Sequence, residues 1–558
     1  MPTWQEPCGY VSTRRHGLLC TLLFLLAFTR GLASAAPPKA DSLFPGGGQR
    51  GTTVEVTVGG GFDNWPPQFA CDRSDVRIVL AEEKGKFNVT LPAEAPPGLM
   101  RLRFYDKEGT APVKAFFIGG LPEILETEPN DTPGKPEAIA TLPVVVNGRL
   151  MGGSDADLFA VQLTAGQTLV AAVEAHRLLG SPVDCVLQVL TADGFVLEQN
   201  DDECEIDPLI AFTAPSDGRY LVRVFGFPSV TDSSIALSNS PNHVYRLTLT
   251  TGGYADHAWP LALAANAPNE VSLIGWNLPP EGLKLPAILP TALPPAGAEP
   301  LVAFDAALGI GADVSVEPHP VTLEAEPNSA DVPRPITLPT TVTGRIDSPG
   351  DVDAYLIEPQ AGQTFLFRLD GPSLGAAGDP VLKLLDAEGK VVTFNDDLGA
   401  FRDCQFFHTF AAAGQFRLAV SDLHQQGGLR HVYRLRATLH PAQPLLTVTA
   451  DNFTLPPGKP LEIPVAIERR MGFAEEIEFS VEGLPANVTL APVKSVAPGE
   501  TAAAVKLVLT ATAGPFSGTI KIIGRSLGDS KLTALATPTA APYPAPRPIS
   551  QEIWLTVP

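Results

Sequence analysis

One ordered set of sequence blocks occurs twice in this chain, and any fold must accommodate both copies. The first runs Leu125-Glu126-Thr127-Glu128-Pro129-Asn130-Asp131, Gly148-Arg149-Leu150, Asp155-Ala156-Asp157-Leu158-Phe159, Ala165-Gly166-Gln167-Thr168, Asn200-Asp201-Asp202 and His243-Val244-Tyr245-Arg246-Leu247. The second runs Leu323-Glu324-Ala325-Glu326-Pro327-Asn328-Ser329, Gly344-Arg345-Ile346, Asp351-Val352-Asp353-Ala354-Tyr355, Ala361-Gly362-Gln363-Thr364, Asn395-Asp396-Asp397 and His431-Val432-Tyr433-Arg434-Leu435. Order is kept and spacing nearly so, which is the signature of a duplicated unit, here of about 120 residues and so of domain size.

Between and within the blocks, short apolar runs alternate with polar residues and are cut by Gly, Pro, Asn and Asp. That pattern specifies strands and turns. Gly (50) and Pro (56) make up about a fifth of the 558 residues, above the ~12% average yet short of a disordered composition. No long amphipathic helical pattern occurs. The formal charge of −22 argues against nucleic acid, whose phosphates require Lys and Arg fields. It is compatible with cation binding and with solubility outside the cell.

The N-terminus reads as an export signal. Arg14, Arg15 and His16 form a basic region, and Gly17 to Phe28 is an apolar run too short to span a bilayer comfortably. Ala33-Ser34-Ala35 supplies a small-residue cleavage site, giving a signal peptide over 1–35 and a mature start at Ala36. An uncleaved anchor is the alternative. The expected location is therefore secreted, periplasmic or cell-surface, with no membrane span after cleavage.

Residues 36–121 open with a Gly-rich turn, Phe44 to Gly51, followed by a Thr/Val strand to Val58. Further strands are expected near Val76–Leu80, Phe87–Leu91, Leu99–Tyr105 and Val113–Ile118, enough for a small β-sandwich. Gly46-x-Gly48-x-x-Gly51 has the letters of a dinucleotide fingerprint, but that motif must follow a strand and open a helix, and here it opens a strand. The segment 36–121 resembles the immunoglobulin-like IPT/TIG domains of bacterial surface proteins. Residues 252–320 echo it through Glu270 to Leu278, beside a Pro-rich linker near Pro279 to Pro300. Residues 442–558 resemble appended immunoglobulin-like domains, with strands expected at Leu445–Ala450, Leu461–Ile467, Ile477–Val481, Ala503–Leu509, Thr519–Ile523 and Gln551–Val557. Ala536 to Pro548 reads as an exposed loop.

The repeated blocks resemble the bacterial pre-peptidase C-terminal domain, a β-sandwich of secreted proteins that often extends a peptidase. The copies are assigned to 122–251 and 321–441. Relatives of that family include collagen-binding domains in which carboxylates of the opening Glu-x-Glu-x-Asn-Asp segment bind calcium. The residues support this separately. Alternate side chains of an extended segment share a face, so Glu126, Glu128 and Asn130 are expected to point together. Calcium takes 6–8 oxygen ligands, and Asp131, Asp155 and Asp157 would complete the set if the Gly148–Gly153 turn folds back. The second set is Glu324, Glu326, Asn328, Asp351 and Asp353. There Ser329 replaces an acid, so a weaker or lost site is expected. The competing reading is a solvated acidic loop with Asn-Asp turn chemistry. Asn200-Asp201-Asp202 and Asn395-Asp396-Asp397 read as turns. Tyr245 and its copy read as packing residues, and Arg246 and its copy as surface or ion-pair groups.

After the signal, four cysteines remain: Cys71, Cys185, Cys204 and Cys404. Cys185 and Cys204 lie in the first copy only, which points to a local disulfide closing a loop of ~20 residues. Two buried free thiols are the alternative, and export favours oxidation. Cys71 and Cys404 have no evident partners.

Catalytic motifs are sparse. Gly524-Arg525-Ser526-Leu527-Gly528 has the letters of a nucleophile elbow without the strand-to-helix context. No phosphate loop or zinc-protease motif occurs. The expectation is an all-β chain of tandem β-sandwich or jelly-roll-like domains in an elongated array. Its expected role is that of a non-enzymatic exported binding or structural protein, with Ca2+ as its candidate stabilising ion. The ligand would be an unknown extracellular protein or polysaccharide. The alternative is an accessory or processing subunit of a secreted peptidase or other hydrolase.

Overall fold

Alternating β-branched or aromatic and polar residues, punctuated by glycine and proline, give strands almost throughout. The computed structural model describes residues 35–153, 155–227, 237–265, 270–286, 301–399, 402–539 and 552–558. Strand accounts for 54% of the chain and helix for 1%. The expected signal over 1–35 lies, Ala35 apart, outside the described residues, as do most of the Pro279–Pro300 linker and the loop after Thr539.

Each repeat is two five-stranded sheets packed face to face. In the first repeat, one sheet runs Leu209–Thr213, Thr168–Glu174, Val244–Thr250, Val144–Arg149, Glu123–Leu125. The other runs Glu137–Ala138, Ala156–Leu163, Gly218–Gly226, Cys185–Thr191, Val196–Asn200. The second repeat has the same two orders. They are Cys404–Thr409, Thr364–Asp370, Val432–Leu439, Thr340–Arg345, Val321–Leu323, and then Arg334–Pro335, Val352–Ile357, Phe416–Asp422, Pro380–Leu385, Val391–Asn395. The duplication seen in the sequence is thus a duplication of topology, strand for strand. Inward residues such as Val146, Phe159, Leu187, Val222 and Leu247 close the first core at 0% exposure.

The segment before each repeat also recurs. Lys39–Phe44 pairs with Thr53–Gly61, and Gly47–Gln49 runs parallel to Lys114–Gly119. Likewise Tyr254–Trp259 pairs with Glu270–Trp276, and Ala262–Ala264 runs parallel to Ile310–Glu317. Phe44-Pro45 and Trp259-Pro260 are both cis and occupy matching places. The unit duplicated is therefore sandwich plus repeat, with the second sandwich reduced. In the last module the sandwich strands fall close to their expected positions, but an unexpected strand, Thr533–Pro538, runs into the start of the expected loop.

Arginines lock the modules of Ala36–Pro558 together. Arg246, with its side chain 2% exposed, pairs with Glu123 and Glu174 and lies over Phe117 of the first sandwich. Of the two readings of this residue, the ion-pair one holds and the surface one does not, because the side chain is buried at the joint. Arg430 pairs with Asp256 and Glu203 and donates to the Gly375 carbonyl, joining both repeats to the middle sandwich. Arg103 of the first sandwich pairs with Asp451 of the last at 2.8 Å, and the Tyr105 ring packs at a tilt against Trp554. These contacts tie the first sandwich of the tandem array to the last.

Candidate metal centre

The acidic blocks of the first repeat come together at one corner of the sandwich. Glu123–Leu125 is the edge strand, so the chain leaves it at Glu126 directly beside the Val144–Arg149 strand. Glu126 accepts the Arg149 backbone N–H at 2.7 Å. The turn after Leu150 folds back as expected, because the Met151 N–H donates to the Asp155 carboxylate. Leu158 N–H donates to the Asn130 carbonyl at 3.2 Å, pinning the opening segment over the Ala156–Leu163 strand.

The expected ligand set divides into two layers. Outside, Glu128, Asp131 and Asp155 each bring a carboxylate oxygen within 4.8 Å of the others. Inside, Glu126 and Asp157 share the Tyr245 hydroxyl, which lies 2.6 Å from Asp157 and 3.2 Å from Glu126. Glu126 is thus drawn inward while Glu128 stays at the surface, and strict alternation along the segment is not kept. Asn130 lies between the layers at 0% exposure. Neither of its amide atoms has a hydrogen-bond partner, nor do Oδ1 of Asp155 and Oδ1 of Asp157.

Electrostatics sharpen the picture. Burial, then the charges of Glu128 and Asp131, push Asp155 up to about 6. Burial raises Glu126 and Asp157; the Glu126 charge raises Asp157 further, and the Glu128 charge adds to Glu126. The nearby cation does not relieve them, since Arg149 turns its guanidinium onto the Phe44 ring, 4.0 Å away. Crowded carboxylates without a counter-charge, next to unpartnered oxygens, form the donor set that a hard divalent cation requires.

The second repeat rebuilds this corner. Glu324 accepts the Arg345 N–H, and Tyr433 donates to Asp353. Asn328 is again 0% exposed, its amide lying beside Asp353 without proper hydrogen-bond geometry. Burial, then the Glu324 charge, raises Asp353 to about 8; burial raises Glu324 to about 7. Two carboxylate groups form, Glu326–Asp351–Asp353 and Glu324–Glu326–Asp347. The acid lost at Ser329 is thus matched by Asp347, which stands where the first repeat has Met151. Aligning the two copies block against block would have exposed that exchange.

Two further residues were readable only in part. Tyr245 and Tyr433 are fully buried but also supply hydroxyls to the inner acids. Gly148 and Gly344 make room for them: a Cβ at Gly148 would lie 2.3 Å from the Tyr245 hydroxyl and 2.5 Å from Glu126, and one at Gly344 would lie 2.3 Å from Tyr433. Asn200 and Asn395 close the strands Val196–Asn200 and Val391–Asn395, their side-chain oxygens accepting from Leu209 N–H and Gln405 N–H.

The cysteines correct the sequence reading. All four described cysteines are free thiols, so the Cys185–Cys204 disulfide is not formed. Cys185 points into the core of its repeat at 0% exposure. Cys204 faces outward instead, toward the Gly375 carbonyl and Arg430 of the other repeat. Ser526, the elbow-like serine, donates to Glu475 and lies within the Phe516–Ser526 strand.

Fold and site together define an all-β array of sandwich modules carrying paired acidic corners. Residues 155–226 match the profile of the bacterial pre-peptidase C-terminal domain. Among solved structures, the pre-peptidase C-terminal domain of a collagenase from Bacillus anthracis is 15% identical (22% of this chain, 98% of that one, TM-score 0.16). Fibronectin(III)-like modules of CbhA from Clostridium thermocellum are 14% identical (36% and 87%, TM-score 0.14). Four N-terminal Ig domains of Dscam1 are 11% identical (94% and 100%, TM-score 0.17). No curated protein matches the chain.

Proposed function

We propose that this chain is a non-catalytic, exported binding or structural protein whose two repeats are both pre-peptidase C-terminal domains, each holding calcium at its acidic corner. The observation that carries this reading is the recurrence, in both repeats, of crowded carboxylates around a fully buried asparagine with unpartnered amide atoms. In the first repeat Glu128, Asp131 and Asp155 would hold the ion, with Asn130 behind them. In the second, Glu326, Asp351, Asp353 and Asp347 would do so. Calcium would neutralise the mutual repulsion of the acids and fix the opening segment against the sandwich. A ligand that binds only the folded state at 100 times its Kd stabilises it by about 2.7 kcal/mol. Its role is thus to stiffen a module acting at the cell surface, in the periplasm or in the medium.

The name of the matched family favours a second reading, an accessory or processing subunit of a secreted peptidase or other hydrolase. Affinity purification from the native medium separates the two. Direct, calcium-dependent binding of the pure chain to a polysaccharide or protein fibre supports the first reading. Stoichiometric co-purification of one hydrolase, with no direct fibre binding, overturns it in favour of the second.

A further inference from the structure

The corner of the second repeat differs from that of the first in one respect that bears on the joint with the preceding sandwich. In both repeats the arginine after the site glycine gives its backbone N–H to the first glutamate, Arg149 to Glu126 and Arg345 to Glu324. In both it then reaches the aromatic residue of the cis aromatic-proline pair next door. Arg149 lies 4.0 Å from the Phe44 ring centre, a full cation–π contact. Arg345 stands off at 6.0 Å from the Trp259 ring, the outer limit of such a contact.

The difference follows from a neighbouring carboxylate. The Arg345 guanidinium pairs with Asp347, which belongs to the Glu324–Glu326–Asp347 carboxylate group. Met151 holds that position in the first repeat and offers no charge. Arg345 and Asp347 are 35% and 40% exposed, and an ion pair that open to solvent is weak. Trp259 packs against the cluster of Leu261, Ala376 and Val432, so it spans the sandwich and the second repeat.

We infer that Arg345 is a cation-operated clasp: the ion held by Glu326, Asp351, Asp353 and Asp347 takes Asp347 from the guanidinium, which then settles on Trp259 as Arg149 does on Phe44. The joint before the second repeat tightens with cation binding, whereas the joint before the first is already closed and does not respond. This inference rests on the calcium reading of the acidic corners.

The test uses the full chain with Glu128→Gln/Asp155→Asn, which silences the first corner, and calcium chloride as the probe. Calorimetry follows binding and tryptophan emission follows the clasp, with Trp259→Phe as the subtraction. Trp259 emission is expected to change with the calorimetric midpoint, and the change is expected to vanish in Arg345→Ala. Removing the competing positive charge makes Arg345→Ala bind calcium about threefold to tenfold more tightly, an effect that a purely structural arginine would not produce. Asp347→Asn, which keeps the shape of the side chain, sets Trp259 emission at the calcium-bound value before any calcium is added. Binding without a change in Trp259 emission, or with unaltered affinity in Arg345→Ala, overturns the clasp alone. No binding at all overturns both the clasp and the calcium reading.

Discussion

Gly148→Ala tests how the acidic corner is built. The added methyl carbon would lie 2.2 Å from Tyr245 Cζ, 2.3 Å from its hydroxyl and 2.5 Å from Glu126. No backbone change removes the clash, because Gly148 lies within the Val144–Arg149 strand and is paired with Tyr245 across the ladder. The tyrosine must leave, and it is fully buried between two sheets. Overpacking of this kind costs about 1–3 kcal/mol. The lost hydroxyl leaves buried carboxylates unsolvated, adding about 1.5–3 kcal/mol. The total expected is about 3–6 kcal/mol. A chain of several modules does not unfold in one step, so the assay is native-state hydrogen exchange at the amides of Val144–Arg149 in chelator. Gly134→Ala is the control, since its methyl would meet nothing within 4 Å; it is expected to stay within about 0.5 kcal/mol of the parent. Equal protection in the two variants would refute the argument that this glycine exists to seat the tyrosine.

Other expectations follow from the joints, the acids and the thiols. Arg246→Ala removes the partner of Glu123, itself 8% exposed, so the first repeat should lose about 3–5 kcal/mol in urea denaturation followed by exchange. The inner acids of the second repeat titrate above their unfolded values: Glu324 at about 7 and Asp353 at about 8. Native protons are thus held where the unfolded chain has lost them. Calcium-free stability of this repeat should therefore be full below pH ~4 and fall as pH rises through 8, the reverse of acid denaturation; a chelated melt series that rises across that window contradicts it. Alkylation of the denatured, unreduced chain followed by peptide mapping should label both Cys185 and Cys204. Recovery of a linked peptide would show the disulfide instead.

Much of this was legible from residues alone, for physical reasons. Strand positions follow from period-two alternation and turn residues, so the strands near Leu99–Tyr105 and Leu461–Ile467 fall where the pattern puts them. Duplicated blocks imply duplicated topology, because the same burial pattern selects the same pairing register. Thr533–Pro538 was missed because it is a strand only by virtue of its partners, Gln443–Val448 and Phe516–Ser526. The acids were singled out by their recurrence, by the resemblance and by alternation along an extended segment, yet their split into layers depends on the Tyr245 hydroxyl, contributed from 88 residues beyond Asp157. The disulfide failed because loop length says nothing of direction, and Cys185 and Cys204 face opposite ways. Arg430 gave no sequence signal, since its acids Glu203 and Asp256 come from other modules, and the reading of Arg246 left open that its ion pairs are buried.

The most direct test of the central claim is calcium calorimetry on the full chain and on two double variants, Glu128→Gln/Asp155→Asn and Glu326→Gln/Asp351→Asn. The account predicts saturable binding that each double variant reduces and that their combination abolishes, with circular dichroism unchanged. A folded chain that takes up no calcium at millimolar concentration, or that binds it equally well without these four acids, would contradict it.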